Sequence, residues 1–501
     1  MHTSKCLQIP EMVTMIVAGV PLSHKEGDYR ATYAALARTC RAFYEPAANA
    51  LWEDLSDVAP LVRALPQYTW SMSQTGSIKF LCSPAMDEWK RFIANAARVK
   101  KLRLSGSKSL KKLLRTISLG LPTGESPFPN LRRLVLKSIE IETMSHASIA
   151  IHPGLTGIQI HDCNSAAMCS LLACLGRTCL SLQFLSADCP IPIDAAPIFT
   201  RFPSLQTFEC PCSGPERIPL PHLAALSTLH SLSTLLPPDS GVRKLDPAVA
   251  FKSLRTLKLH GIVSSSTLTL FLRSVSSRTL RDLYMDCDLD PPSGFLAELF
   301  DVISTFAALQ SLSLNMGTMP VDRDGGSANY VCSLEPLYRL PLLRDLRLNS
   351  VVVTPLTNEI IPSLGKIWPD LRNLNFDYST VQPGDITLEA LELFAAYLPK
   401  LNNLYLYLDD TVVPSYKNLR ARSLIPIHLF LGDSPIPEDS WCSVAAYITS
   451  VYPNAVLDTN LEPPLAHGHC WQKIVQIMSV ISDVRKEEWE RAALGEVTCD
   501  Q

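Results

Sequence analysis

From about residue 99 onward the apolar positions fall into one pattern, L-x-x-L-x-L with apolar variants. It reads VKKLRL at 99, LRRLVL at 131, LTGIQI at 155, LQFLSA at 182 and LQTFEC at 205. It returns as LRTLKL at 254, LRDLYM at 280, LQSLSL at 309, LRDLRL at 343, LRNLNF at 371 and LNNLYL at 401. Successive copies start 23 to 34 residues apart, except for one interval of 49 that a weaker copy, LHSLST at 229, divides; IPIHLF at 425 is a degenerate further copy. Within each copy the last four positions alternate apolar and polar, as in a short strand with one buried face. Between the copies lie stretches with helical spacing, such as SGFLAELFDVISTF at 293 and TLEALELFAAYL at 387. Proline often separates helix from strand, in FPN at 128, FPS at 202, LPL at 340, WPD at 368 and LPK at 398. It ends the preceding helix because its ring cannot continue it.

This period and core pattern are those of leucine-rich repeats. No single unit can bury its leucine face, so stacked units share one continuous core. The fold class expected is α/β, a curved solenoid over residues 99–460 with parallel strands on the concave face and helices on the convex face. The Asn or Cys that usually stands three residues after the last Leu is clear only at Cys163. DEWKRFIANAARV predicts an amphipathic helix with Trp89, Phe92, Ile93 and Ala96 inward, within a linker and N-terminal cap over 61–98. CWQKIVQIMSVISDVRKEEWERAAL, within 461–501, predicts a C-terminal helix with Ile474, Ile477, Met478 and Ile481 on its apolar face, read as the closing cap.

The first 60 residues follow a different rule. LQIPEMVTMIVAGV predicts a helix with Pro10 in its first turn and Glu11 at its positive end, and with Met12, Met15, Ile16 and Gly19 on one face. Asp28 is placed to cap a second helix, YRATYAALARTC, whose Tyr29, Tyr33, Leu36 and Cys40 form a stripe. A third begins near Phe43 to Pro46 and carries Ala47, Leu51 and Leu55 on one side with Trp52 beside them. Three short helices make a marginal domain alone.

IPEMVTMIV, LARTCRAFYEPA and LWEDL resemble an F-box of the kind found in fungal, basidiomycete-type F-box proteins that carry leucine-rich repeats behind it. The family motif opens Leu-Pro where this chain has Ile9-Pro10. The resemblance implies that residues 1–60 dock a Skp-family adaptor, which joins a cullin–RING ubiquitin ligase, while the repeats hold a protein substrate. It assigns Ile9, Pro10, Glu11, Ile16, Leu36, Cys40, Phe43 and Trp52 to adaptor binding. The alternative is a protein-binding repeat scaffold with no ligase role, whose front helices only close the array.

Composition narrows the remaining choices. With 47% hydrophobic and 19% charged residues the chain can build a large core. A net charge of −3 with no charge blocks gives no footprint for nucleic acid or an acidic membrane. The longest stretch without charge, Ile218 to Pro238, holds four prolines and is not read as a membrane span. Pro10 and Glu11 interrupt any secretory signal, so the 15 cysteines read as reduced thiols and the compartment as cytoplasm or nucleus. No phosphate-binding glycine motif occurs, and HGHC at 467, CPC at 210 and DRDGG at 322 each lack the partners a metal site needs. The expectation is therefore no enzyme, no metal and no cofactor. Polar strand positions that a substrate would meet are Arg132, Arg255, Lys258, Arg281, Arg344, Arg347, Arg372, Asn373, Asn402 and Asn403, and their basic members suit an acidic or phosphorylated ligand.

Overall fold

The computed structural model describes residues 9–20, 28–74, 76–121, 126–211, 220–236, 242–243, 245–289, 292, 294–317, 331–353, 356–376, 386–408, 412–417, 419–431, 434–436, 439–458 and 468–498. They form two compact units, Met1–Pro237 and Pro238–Gln501.

In the first unit, Asp54–Leu55, Lys101–Ser105, Arg133–Lys137, Gly157–His161, Phe184–Ala187, Thr207–Cys210 and Ser231–Leu235 pair in chain order, every pair parallel. Leu55, Leu102, Leu134, Ile158, Leu185, Phe208 and Leu232 stand in one register row, all buried. The second unit repeats this with Thr256–Ile262, Asp282–Cys287, Ser311–Asn315, Asp345–Asn349, Asn373–Phe376, Asn403–Tyr405, Ile427–Phe430 and Ala455–Leu457. Its row is Leu257, Leu283, Leu312, Leu346, Leu374, Leu404, Leu429 and Leu457. Each strand covers the leucines of its neighbours, so the buried face is continuous, as the spacing predicts. Both units are leucine-rich-repeat solenoids of α/β class.

α- and 3-10 helices close the other side of most repeats among the described residues. The residue before proline ends them: Phe202, Leu340, Trp368 and Leu398 all leave the helical region, with φ near −110 to −120° and ψ near 60 to 75°. The proline ring disfavours α-helical geometry at the preceding residue. These same side chains are buried, so one residue both stops the helix and fills the core. Three residues after the last strand leucine stand Ile139, Cys163, Ile262 and Val351, all buried. Cys163 is the usual residue there; at the other three, apolar packing fills the position instead.

The ends differ in detail from the sequence expectation. The ladder starts at Asp54–Leu55, directly after the third helix, and not at 99. Leu55 is therefore a strand residue and does not share a helical side with Ala47 and Leu51. The helix Trp89–Ala96 buries Trp89, Phe92 and Ala96 and leaves Ile93 half-buried. The helix Gly468–Thr498 buries Trp471, Ile474 and Met478, with Ile477 and Ile481 half-buried. Trp471 Nε1 donates to the Ser434 carbonyl at 3.0 Å and Arg485 Nη1 to the Thr449 carbonyl at 2.6 Å, which ties this helix to the last repeats of its unit. Cys163 is held up to about 11 and Cys179, Cys287 and Cys332 to about 12, each mainly by burial, so these thiols stay protonated. No helix among the described residues is long and apolar enough to cross a membrane.

Candidate docking surfaces

The first surface lies on helix α1, Pro10–Ala18. Pro10 occupies its first position, where no internal N–H bond is lost, and Val13 N–H closes the first turn on the Ile9 carbonyl at 3.2 Å. Only Val13 and Val17 of α1 are buried, at 1% and 3% exposure. Helix α1 packs on α3, Arg41–Glu53, and Val17 also meets α2, Asp28–Ala37. The small core that Val17 joins holds Tyr33 and Ala47, with Tyr29, Leu36, Phe43 and Leu51 around it. Tyr29 and Tyr33 meet edge to face at 6.1 Å.

The other side of α1 is apolar and open. Ile9 is 47% exposed, Met12 40%, Met15 68% and Ile16 44%; Tyr44 of α3 is 52% exposed. Scattered exposed apolar residues are ordinary, but four on one short helix make a contiguous patch. The sequence expectation placed Ile9, Pro10, Glu11, Ile16, Leu36, Cys40, Phe43 and Trp52 together. In the structure Ile9, the N-cap of α1, and Pro10, Glu11 and Ile16 on α1 are exposed. Leu36 and Phe43 pack into the three-helix core, and Trp52 is half-buried. Cys40 is exposed and precedes α3, because α2 ends at Ala37, so it does not continue the Tyr29–Leu36 stripe. Met12 and Met15 belong to the open face, and only their helical phase relative to Val13 and Val17 would have separated them from core methionines.

The three helices are fixed to the first repeats by charge. Arg98 donates to Glu45 at 2.6 Å and holds its carboxyl below the usual carboxylate range. Lys100 meets Glu53 at 3.2 Å, and Asp54 meets Lys101 at 3.4 Å and Arg103 at 3.2 Å. Arg30 Nη2 donates to the Asp54 carbonyl at 2.9 Å.

The second surface is the open face of the strands in the second unit. One register row there reads Thr256, Asp282, Ser311, Asp345, Asn373, Asn403 and His428. The next reads Lys258, Tyr284, Ser313, Arg347, Asn375, Tyr405 and Phe430. Tyr405 and Phe430 stack at 5.3 Å, and the Asn375 Oδ1 atom is buried without a partner among the described residues. Asn403 donates to Asn373, and Asn373 to Asp345. Burial holds the Asp345 carboxyl above its ordinary value, against the nearby positive charges of Arg347, Arg372 and Arg344. Of the other sequence candidates, Arg132 belongs to the first unit, where it donates to the Gly154 carbonyl at 2.8 Å.

No cluster of metal-ligating side chains occurs among the described residues. His467, Cys212 and DRDGG at 322 lie outside them.

The sequence matches no protein-family model and no curated protein. Among solved structures, a leucine-rich-repeat protein of Leptospira interrogans, LIC12759, is 15% identical with a TM-score of 0.31, over 75% of this chain and 100% of that one. A chain of the yeast Rad7–Elc1 complex is 16% identical with a TM-score of 0.39, over 76% of this chain and 91% of that one. The plant peptide hormone receptor RGFR1, in complex with RGF2, is 16% identical with a TM-score of 0.29, over 74% of this chain and 60% of that one. The chain has the leucine-rich-repeat fold by its own rows of buried apolar side chains, mostly leucine, within each unit.

Proposed function

We propose that this chain is the substrate-recognition subunit of a Skp–cullin–F-box ubiquitin ligase. Helix α1 docks a Skp-family adaptor, and the repeats bind a protein substrate. The observation that carries the reading is the open apolar face of α1, with Ile9, Met12, Met15 and Ile16 turned away from their own core. Full burial of side chains of this size contributes roughly 1.5–3 kcal/mol each, ample for a partner of modest area. The chain itself does no chemistry in this reading. It raises the local concentration of substrate at the transferring enzyme. The reading places it in the cytoplasm or nucleus.

The test is binding of the full chain to a purified fungal Skp-family adaptor by calorimetry, beside a Met15→Asp, Ile16→Asp variant. Loss of binding in a variant with unchanged circular dichroism is the expected result. A well-folded wild type that ignores the adaptor sinks the ligase reading and leaves a repeat scaffold.

A further inference from the structure

We infer that the strand entries of the second unit bind an extended, carboxylate-rich peptide through a column of arginines. The inference rests on reading the repeats as a receptor and names the chemistry of what they receive. The residue just before each strand donates its N–H to the carbonyl of its counterpart one repeat earlier. By these bonds Arg255, Arg281, Gln310, Arg344, Arg372 and Asn402 stand in one column. Four of the six are arginines, and all four are exposed. Arg347 and Lys258, also exposed, add two cations within the strands.

The side-chain donors of these cations are open. Arg255, Arg281, Arg344, Arg347, Arg372 and Lys258 make no side-chain hydrogen bond or contact ion pair among the described residues, although the charges of Arg344, Arg347 and Arg372 act on Asp345. Arginines elsewhere do: Arg98 pairs with Glu45, Arg103 with Asp54 and Arg273 with Glu298. Carboxylates are present on the same face, but neutral side chains occupy them. Thr256 donates to Asp282 at 2.9 Å, Asn315 to Asp286 at 2.8 Å, and Asn373 to Asp345. Asp370, whose charge is felt by Arg344 and Arg372, is taken by Lys400. Six cations therefore stand near four carboxylates that already have partners, and guanidinium donors unpaired among the described residues are suited to bidentate carboxylate contacts.

The geometry sets the occupant's length. Arg255 to Arg372 spans four strand steps of about 4.8 Å, roughly 19 Å, which about six extended residues cover.

The experiment is fluorescence anisotropy of the full chain with a labelled hexaglutamate peptide at low salt. Its companions are hexaglutamine and a neutral peptide bearing one phosphoserine. We expect hexaglutamate to bind and its affinity to fall with added salt. Arg344→Gln with Arg372→Gln weakens it at least about tenfold. Arg133→Gln, an exposed arginine of the first unit, leaves it unchanged. Equal binding of hexaglutamine, or an unaffected double variant, overturns the inference. So does equal loss in the Arg133 variant. Binding of the phosphoserine peptide without hexaglutamate overturns the choice of carboxylates. No adaptor enters this assay, so its failure and that of the docking role of α1 are read separately.

Discussion

Glu392 sits on the buried side of a helix, at 8% exposure, where a leucine would be expected. Its Oε1 accepts the backbone N–H groups of Arg420 and Ala421, at 3.0 Å from the latter, so one carboxylate satisfies a loop about 28 residues downstream. Glu392→Ala leaves both N–H groups without this acceptor and is expected to cost about 1–3 kcal/mol in chemical denaturation. His152 is a second buried polar residue of this kind. Its Nε2 donates to the Leu131 carbonyl at 2.9 Å while Nδ1 accepts from Gly154 N–H at 3.1 Å, an arrangement open only to the neutral ring. Burial first, and Arg132 with it, hold its pKa below the ordinary 6.5. A depressed base stabilises the fold above its unfolded pKa, and that stability is lost as pH falls through the folded value. Denaturation midpoints compared at pH 7.5 and pH 5.5 should therefore drop in the wild type and drop less in His152→Gln. An equal drop in both would remove His152 from the acid response.

At the scale of elements, α1 carries two opposed faces within nine residues. Val17→Asp places an unpaired charge in the three-helix core and is expected to unfold it, seen as lost helical ellipticity and protease cutting before Glu53. Met15→Asp changes solvent-facing surface and leaves both measures unaltered. A variant pair behaving identically would mean α1 is not docked as described. The helix itself was legible from its apolar content and Pro10, but its facing was not, because Val, Met and Ile occur all round it. The repeat strands were legible almost to the residue, since alternation fixes which side chains are buried. The strand Ala455–Leu457 is not legible in the sequence, because NAVL lacks the repeated leucines and is announced only by the Tyr452-Pro453 pair before it. Nor is Asp54–Leu55, because two residues carry no period and its pairing with Lys101–Leu102 is long-range. The polar pairings on the strand face, such as Asn403 to Asn373 to Asp345, could not be read from one repeat, since each joins residues about 30 apart.

Across the whole molecule, stability is carried between neighbouring repeats, so damage at an end spreads only locally. Trp471→Ala with Ile474→Ala removes buried contacts between the C-terminal helix and the last repeats. Hydrogen exchange should then show lost protection in Ile427–Phe430 and Ala455–Leu457, while Lys101–Ser105 stays protected. Uniform loss across the chain would contradict a nearest-neighbour array. The same locality explains why the sequence tolerates such uneven repeats. The 26 residues from Leu254 to Leu280 and the 34 from Leu309 to Leu343 each advance the ladder by one strand. Extra residues lengthen the connections and leave the pitch at about 4.8 Å. Each unit thus works as a ruler whose graduations are set by hydrogen bonds and not by chain length. Within a unit, insertions between strands leave the marks where they are, and loss of one whole repeat displaces every later side chain by one graduation.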